Sequence, residues 1–335
     1  MKKIIFLVAA LVLIAGASFW IINKNRQEKK IDNGPIQEVN LKLKWVHQAQ
    51  FAGHYVAIEK GFYREEGLNV NATPFTFEDP TIDAVVTKKA DFGITGADEL
   101  VLSRAKGMPI KAIAVIYKTN PVVAYALKES GIVKPQDFIG KTVGLERGIN
   151  IEFLYAAMMG KLGIDRSKVN EVTIGYDAKE LLAGTTDVST GYITNEPNQV
   201  VEAGQEVNTI LMADYGVNMY ADVIFAREET ITSKPEMVKR FLRATLRGWQ
   251  YAIEHEDEAV EATLKYATSS TRNHEAYMLK ASIPLIHTGI SKLGWMEPGR
   301  WEQVQKILLE QKILTEPIVI TDAYTMQFLS AIYNN

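Results

Sequence analysis

The 335-residue chain contains no cysteine. That excludes disulfides, thiol catalysis, cysteine-ligated metal and a lipid anchor on a processed N-terminal cysteine. Histidine is scarce: His47, His54, His255, His274 and His287 show no HExxH or similar ligand spacing, so no metal site is expected. The body carries no basic stripe, and with a net charge of −3 nucleic acid is not an expected partner. Neither internal repeats of twenty to fifty residues nor low-complexity segments occur. What remains is 47% hydrophobic and 23% charged, the balance of a globular chain long enough for more than one domain.

The positive charge is concentrated at the start. Lys2, Lys3, Lys24, Arg26, Lys29 and Lys30 face only Glu28 in the first thirty residues, a net +5 that leaves an acidic body of about −8. Residues 4–22 are almost unbroken apolar. They fit a signal peptide with Ala15-Gly16-Ala17 as cleavage site, or an uncleaved membrane anchor. Either would place the body outside the cytoplasm. The basic cluster after the run favours the cytoplasmic side, so an amino-terminal-out insertion with a cytoplasmic body stays as a third orientation. Residues 23–38 are polar, broken by Gly34-Pro35, and read as a flexible linker.

From residue 39 strand and helix patterns alternate. Residues 41–46 alternate apolar and charged, a half-buried strand. The loop 48–53, a helix over 54–60 and a strand from Leu68 complete a βαβ-length unit. Open α/β sheets bind ligands outside the carboxyl ends of their strands, where Trp45, Gln50 and Phe51 fall. Trp45 and Phe51 fit equally as core aromatics. A second strand–loop–helix unit puts Asn150 at a helix start after the strand 141–145, and helix starts offer unpaired N–H groups. A strand ending at Tyr192 leads into Thr194-Asn195-Glu196-Pro197, where Tyr192, Asn195 and Glu196 suit a stacking and hydrogen-bonding site for a polar ring. From Pro235 the pattern is helical, with Met237, Phe241, Leu242, Leu246 and Trp249 at helical spacing. The pattern predicts two α/β lobes: 39–120 with 225–335, and 121–224. The chain would cross near 116–127 and return near 220–228, with the tail helices on lobe 1.

The stretch 45–68, WVHQAQFAGHYVAIEKGFYREEGL, resembles the opening motif of bacterial substrate-binding proteins of ABC transporters. The branch is the one similar to the fungal thiamine-pyrimidine synthase and to sulfonate-binding proteins. The resemblance continues through Ala90-Asp91-Phe92-Gly93-Ile94, Lys141-Thr142-Val143-Gly144, Gly191 to Pro197 and Arg240 to Trp249, and covers nearly all of 39–333. It implies a type II periplasmic-binding-protein fold and a monomeric extracytoplasmic receptor. Such a receptor would hand a small planar heterocycle, a thiamine pyrimidine precursor or similar, to a membrane permease without a cofactor.

Under that resemblance Trp45, Phe51, Tyr192 and Tyr220 would wall the ring. Asp98 and Glu196 would accept its N–H groups, Asn150 with the nearby backbone would hold a polar substituent, and Gln50, Thr95 and Asn195 would complete the ligand-binding set. Asp222 would bind ligand or brace Tyr220. Phe51 stands where many thiamine-precursor binders have histidine, which leaves a riboflavin-like ring open. A synthase of the fungal kind would need a lysine where this chain has Thr95, a histidine where it has Glu99, and a cysteine cluster. An enzyme is therefore not expected. A membrane-tethered sensor of the same fold is the other alternative.

Overall fold

The computed structural model describes residues 36–147 and 150–334, so the expected leader at 1–22 and most of the linker lie outside the described residues. Among the described residues the strands form two five-stranded sheets. The first holds β1 (Gln37–Lys42), β2 (Leu68–Thr73), β3 (Phe92–Thr95) and β4 (Ile110–Val115). The second holds β5 (Val122–Leu127), β6 (Thr142–Leu145), β7 (Asn170–Thr173), β8 (Val188–Tyr192) and β9 (Val207–Leu211). Finally β10 (Val223–Arg227) returns to the first sheet.

The strand orders are β2-β1-β3-β10-β4 and β7-β6-β8-β5-β9. In each sheet, a strand next to an interlobe crossover inserts antiparallel between two others. β10 lies between β3 and β4, and β5 between β8 and β9. The two lobes thus repeat one plan and share two connections, at 116–121 and 212–222.

β1 takes up the last two residues of the expected linker. Gln37 and Glu38 pair in register with Leu68 and Asn69, so the tether gives way to sheet at Gln37 rather than at 39. The strand also stops at Lys42, and 43–48 becomes a loop. The alternation that suggested a strand over 41–46 arises because Leu41 and Leu43 turn inward while Trp45 folds over the sheet end.

Helices follow the strands: α1 (Ala52–Glu59), α2 (Phe62–Glu65), α3 (Thr81–Val86) and α4 (Ala97–Ala105) in the first lobe; α5 (Asn150–Lys161), α6 (Lys179–Leu182) and α7 (Glu196–Glu202) in the second. The tail comprises α8 (Glu228–Ser233), α9 (Pro235–Glu254), α10 (Glu256–Leu264), α11 (Arg272–Ile286), α12 (Pro298–Glu310) and α13 (Gln327–Tyr333). It packs on the first lobe, with α9 and α10 against α1, and α12 against α4.

The apolar stripe of α9 drives this packing. Met237, Phe241, Leu242, Leu246 and Trp249 are all buried. Phe241 stacks on Phe92 of β3 at a centroid distance of 3.9 Å and on Tyr63 at 5.4 Å. A fully buried Phe or Leu contributes roughly 1.5–3 kcal/mol of transfer free energy, so this one stripe anchors the tail.

Candidate functional site

The sheets meet at a cleft whose mouth is open to solvent. It is lined from both lobes at the carboxyl ends of the strands. The loop after β1 supplies Lys44, Trp45, Gln48 and Gln50, and the start of α4 supplies Asp98 and Glu99. Across the gap lie Glu146 and Asn150 after β6, Tyr176 after β7, and Tyr192, Asn195 and Glu196 after β8.

Trp45 is the hub of the aromatic wall. It stacks with Phe75 at 6.2 Å, and Phe75 meets Phe77 edge-on at 5.3 Å. From the other lobe Tyr176 meets Trp45 edge-on at 5.3 Å. Deeper in, Tyr192 holds the floor: its hydroxyl accepts from Asn150 Nδ2 at 3.2 Å and from Lys44 Nζ at 3.5 Å. The second of these bonds crosses the cleft.

The floor is acidic. Asp98 and Glu146 are buried, and Asp98 Oδ2 and Glu146 Oε1 have no hydrogen-bond partner among the described residues. Burial, with Glu99 beside it, pushes the Asp98 carboxyl up to about 6 against the pull of Lys44. Burial likewise pushes Glu196 up to about 7, although the backbone amides at Tyr192 and Glu196 hold it down in part. Burial and then Glu196 raise Glu146 to about 9. Lys44 is the one lysine or arginine lining the cleft among the described residues. Burial alone would lower its ammonium, but Tyr192, Asp222, Glu99 and Asp98 reverse that and hold it above the ordinary lysine value.

Trp45, Gln50, Asp98, Asn150, Tyr192, Asn195 and Glu196 are therefore brought together around one hollow. Four other expected site residues stand elsewhere. Phe51 is fully buried: the short helical turn 49–51 that presents Gln50 to the cleft carries Phe51 into the core beneath. Thr95 is enclosed at the end of β3, and its hydroxyl donates to the Glu99 carboxylate. Tyr220 is drawn away by the tail: its hydroxyl accepts from the Glu297 amide at 2.9 Å and its ring packs on Trp301. Asp222 does not brace Tyr220. It lies one layer behind the floor, accepting from Gln50 Nε2 at 2.9 and 3.0 Å with Lys44 Nζ at 3.6 Å.

Glu196 also carries a structural load. One oxygen accepts from the Tyr192 amide at 2.7 Å and the other from Asn195 Nδ2 at 2.5 Å, so its carboxyl closes the turn from β8 into α7. Sequence reasoning passed over Lys44, Gln48, Phe75, Phe77, Glu99, Glu146 and Tyr176. The rule that selected Trp45, applied to the ends of β2, β6 and β7, would have reached Phe75, Glu146 and Tyr176.

Two lobes with this strand order, joined by two crossovers around a cleft lined from both, define a type II periplasmic-binding-protein fold. The family model described as NMT1/THI5 like matches residues 48–259, and the chain belongs to that family. It is 28% identical over 306 residues to riboflavin-binding protein RibY of Chloroflexus aurantiacus, covering 88% of this chain and 86% of that one. It is 25% identical over 331 residues to the formylaminopyrimidine-binding protein of Halalkalibacterium halodurans, covering 96% and 98%. A 4-amino-5-hydroxymethyl-2-methylpyrimidine phosphate synthase of Legionella pneumophila is 27% identical over 297 residues, covering 87% and 92%. Among solved structures, the periplasmic aliphatic sulphonate binding protein SsuA from Escherichia coli superposes with a TM-score of 0.69 at 13% identity, over 87% of this chain and 92% of that one.

Proposed function

We propose that this protein is the extracytoplasmic substrate-binding component of an ABC importer and captures a small planar nitrogen heterocycle between its lobes. The two relatives named for riboflavin and formylaminopyrimidine binding support that ligand class. The observation that carries the reading is the cleft itself. Aromatic faces from both lobes stand over a floor where Asp98 Oδ2 waits, buried, for a donor. Stacking against the Trp45 and Tyr176 wall with N–H donation to Asp98 uses the features this hollow offers, and a charged acceptor bond adds about 1.5–3 kcal/mol.

In this reading the lobes, 39–120 with 225–335 and 121–224, close on the ring through the two crossovers and present it to a membrane permease as a monomer. The apolar run 4–22 exports or anchors the body. The reading is one of binding rather than catalysis. Where the resemblance to the synthase would require lysine and histidine, Thr95 and Glu99 are bonded to each other, and no cysteine exists in the chain.

Thermal-shift titration of the full chain with riboflavin and formylaminopyrimidine tests this. A ligand at a hundredfold its Kd stabilises by about 2.7 kcal/mol. No saturable shift from either ring would sink the heterocycle reading.

A further inference from the structure

We infer that Glu146 reads the ligand's edge from the second lobe, pairing with a ring edge that offers an N–H donor beside an acceptor, and that the first-lobe acids Asp98 and Glu99 bar oxyanions from the cleft. This rests on the cleft being a heterocycle site.

Glu146 follows β6 directly and is only 4% exposed. Its own amide is tied to Thr190 Oγ1 at 3.4 Å, which fixes the backbone from which the side chain reaches. Its Oε1 is fully enclosed and takes no hydrogen bond from the described residues. An unanswered buried carboxyl oxygen is costly unless something supplies its partner. Glu196 beside it does not serve: its oxygens are turned to the Tyr192 amide and to Asn195 Nδ2, and it makes no hydrogen bond to Glu146 Oε1. Nor can Arg147, whose guanidinium is held by Glu152 at 2.5 Å and lies 3.6 Å from Glu171. The cleft is where the partner must come from, since Glu146 lines it.

Burial and Glu196 push this carboxyl up to about 9, so near neutral pH it keeps its proton. A protonated carboxyl offers an O–H and a C=O side by side. Aminopyrimidine and imide edges present the complementary pair. Asp98 answers a donor from the first lobe, so the ligand is read from both lobes at once, as a receptor that closes on its cargo needs. A sulfonate, phosphate or carboxylate brings acceptors only. It would meet the first-lobe acids Asp98 and Glu99 with Lys44 as the single cation lining the site among the described residues, and Lys44 already has Asp222 and Tyr192.

The test uses riboflavin, formylaminopyrimidine and methanesulfonate on the full chain, by calorimetry. Glu146→Ala should weaken the ring that binds by about ten- to a hundredfold. Glu146→Gln keeps an N–H beside a C=O and should stay within about threefold of the parent. Unliganded melting of both variants serves as the folding control. If the parent binds a ring and Glu146→Ala binds it equally, this inference fails while the heterocycle reading stands. Equal losses in the Gln and Ala variants overturn the edge pairing. A saturable response to methanesulfonate in the parent overturns the exclusion of oxyanions. Silence from both rings overturns the heterocycle reading and this inference with it.

Discussion

Trp45 of the first lobe and Tyr176 of the second meet edge-on across the cleft mouth, their ring centroids 5.3 Å apart. Tyr176 is 43% exposed and Trp45 is partly buried, so the pair is a contact between lobes rather than part of either core. Edge-to-face pairs are worth about 0.5–1.5 kcal/mol beyond burial. Tyr176→Ala should therefore loosen the hold on a bound ring roughly three- to tenfold, mostly through faster dissociation. Its unliganded melting temperature should hardly move, because substitutions at exposed sites stay within about 0.5 kcal/mol. Stopped-flow dissociation checks this; an unchanged off-rate would mean that the mouth pair does not retain ligand.

Asp222 links the site to the second crossover. Its buried carboxylate takes two contacts from Gln50 Nε2 and faces Lys44, and burial raises it while Lys44 and Gln50 pull it back. Asp222→Ala removes the counter-charge and leaves Lys44 with Tyr192 and the acids of α4. The expected loss is about 3 kcal/mol in urea unfolding, with weaker ligand binding because Gln50 and Lys44 are no longer held in place. Asp222→Asn, which still accepts from Gln50, should recover most of the stability. A stable Ala variant would show that Gln50 and Lys44 hold themselves.

The patterns that were legible in the sequence are those with a period. The α9 stripe and the alternation of strands with helices both reflect burial on one face, and burial leaves a periodic trace. Trp45, Gln50 and Tyr192 were legible because strand ends meet at the cleft in such folds. Phe51 and Tyr220 misled because aromatics beside a site have the same composition as aromatics in it. Only the turn geometry at 49–51 and the bond from the Glu297 amide separate them. Glu146, Phe75, Phe77 and Tyr176 sit in loops, which carry no period. Lys44 reads as a solvent-facing residue of an alternating strand until the second lobe covers it.

The helix crossing under the site depends on two glycines. A Cβ on Gly248 would lie 2.2 Å from the Gly53 carbonyl oxygen, and one on Gly53 would lie 2.2 Å from the Trp249 ring. Since the obstacle at Gly248 is backbone, α1 and α9 must separate to admit a methyl. Gly248→Ala should cost about 3 kcal/mol, at the upper end for overpacking. Gly299→Ala is the matched control: a Cβ there would meet nothing within 4 Å, and a helical alanine at that position should be neutral or stabilising by up to about 1 kcal/mol. Equal melting of the two variants would refute tight apposition of α1 and α9.

The acidic floor makes stability depend on pH in a direction opposite to that of a salt-bridged carboxylate. Burial, with Glu196, lifts Glu146 to about 9 in the fold, against 4.5 for the ordinary group. The folded state therefore holds a proton that the unfolded chain has released. Its contribution is fully present below pH 4.5 and is lost as pH rises through the window to about 9. Glu196, near 7, and Asp98, near 6, act in the same sense over narrower windows. His54 opposes them: burial lowers it to about 3, so it favours the fold as pH rises toward 6.5. Comparing the parent with Glu146→Gln cancels these shared contributions. The stability of the parent relative to the variant should fall by up to about 1.4 kcal/mol per pH unit between pH 5 and 9, as urea midpoints at unit steps can measure. A flat difference across that range would mean that Glu146 is ionised in the fold and already has a partner.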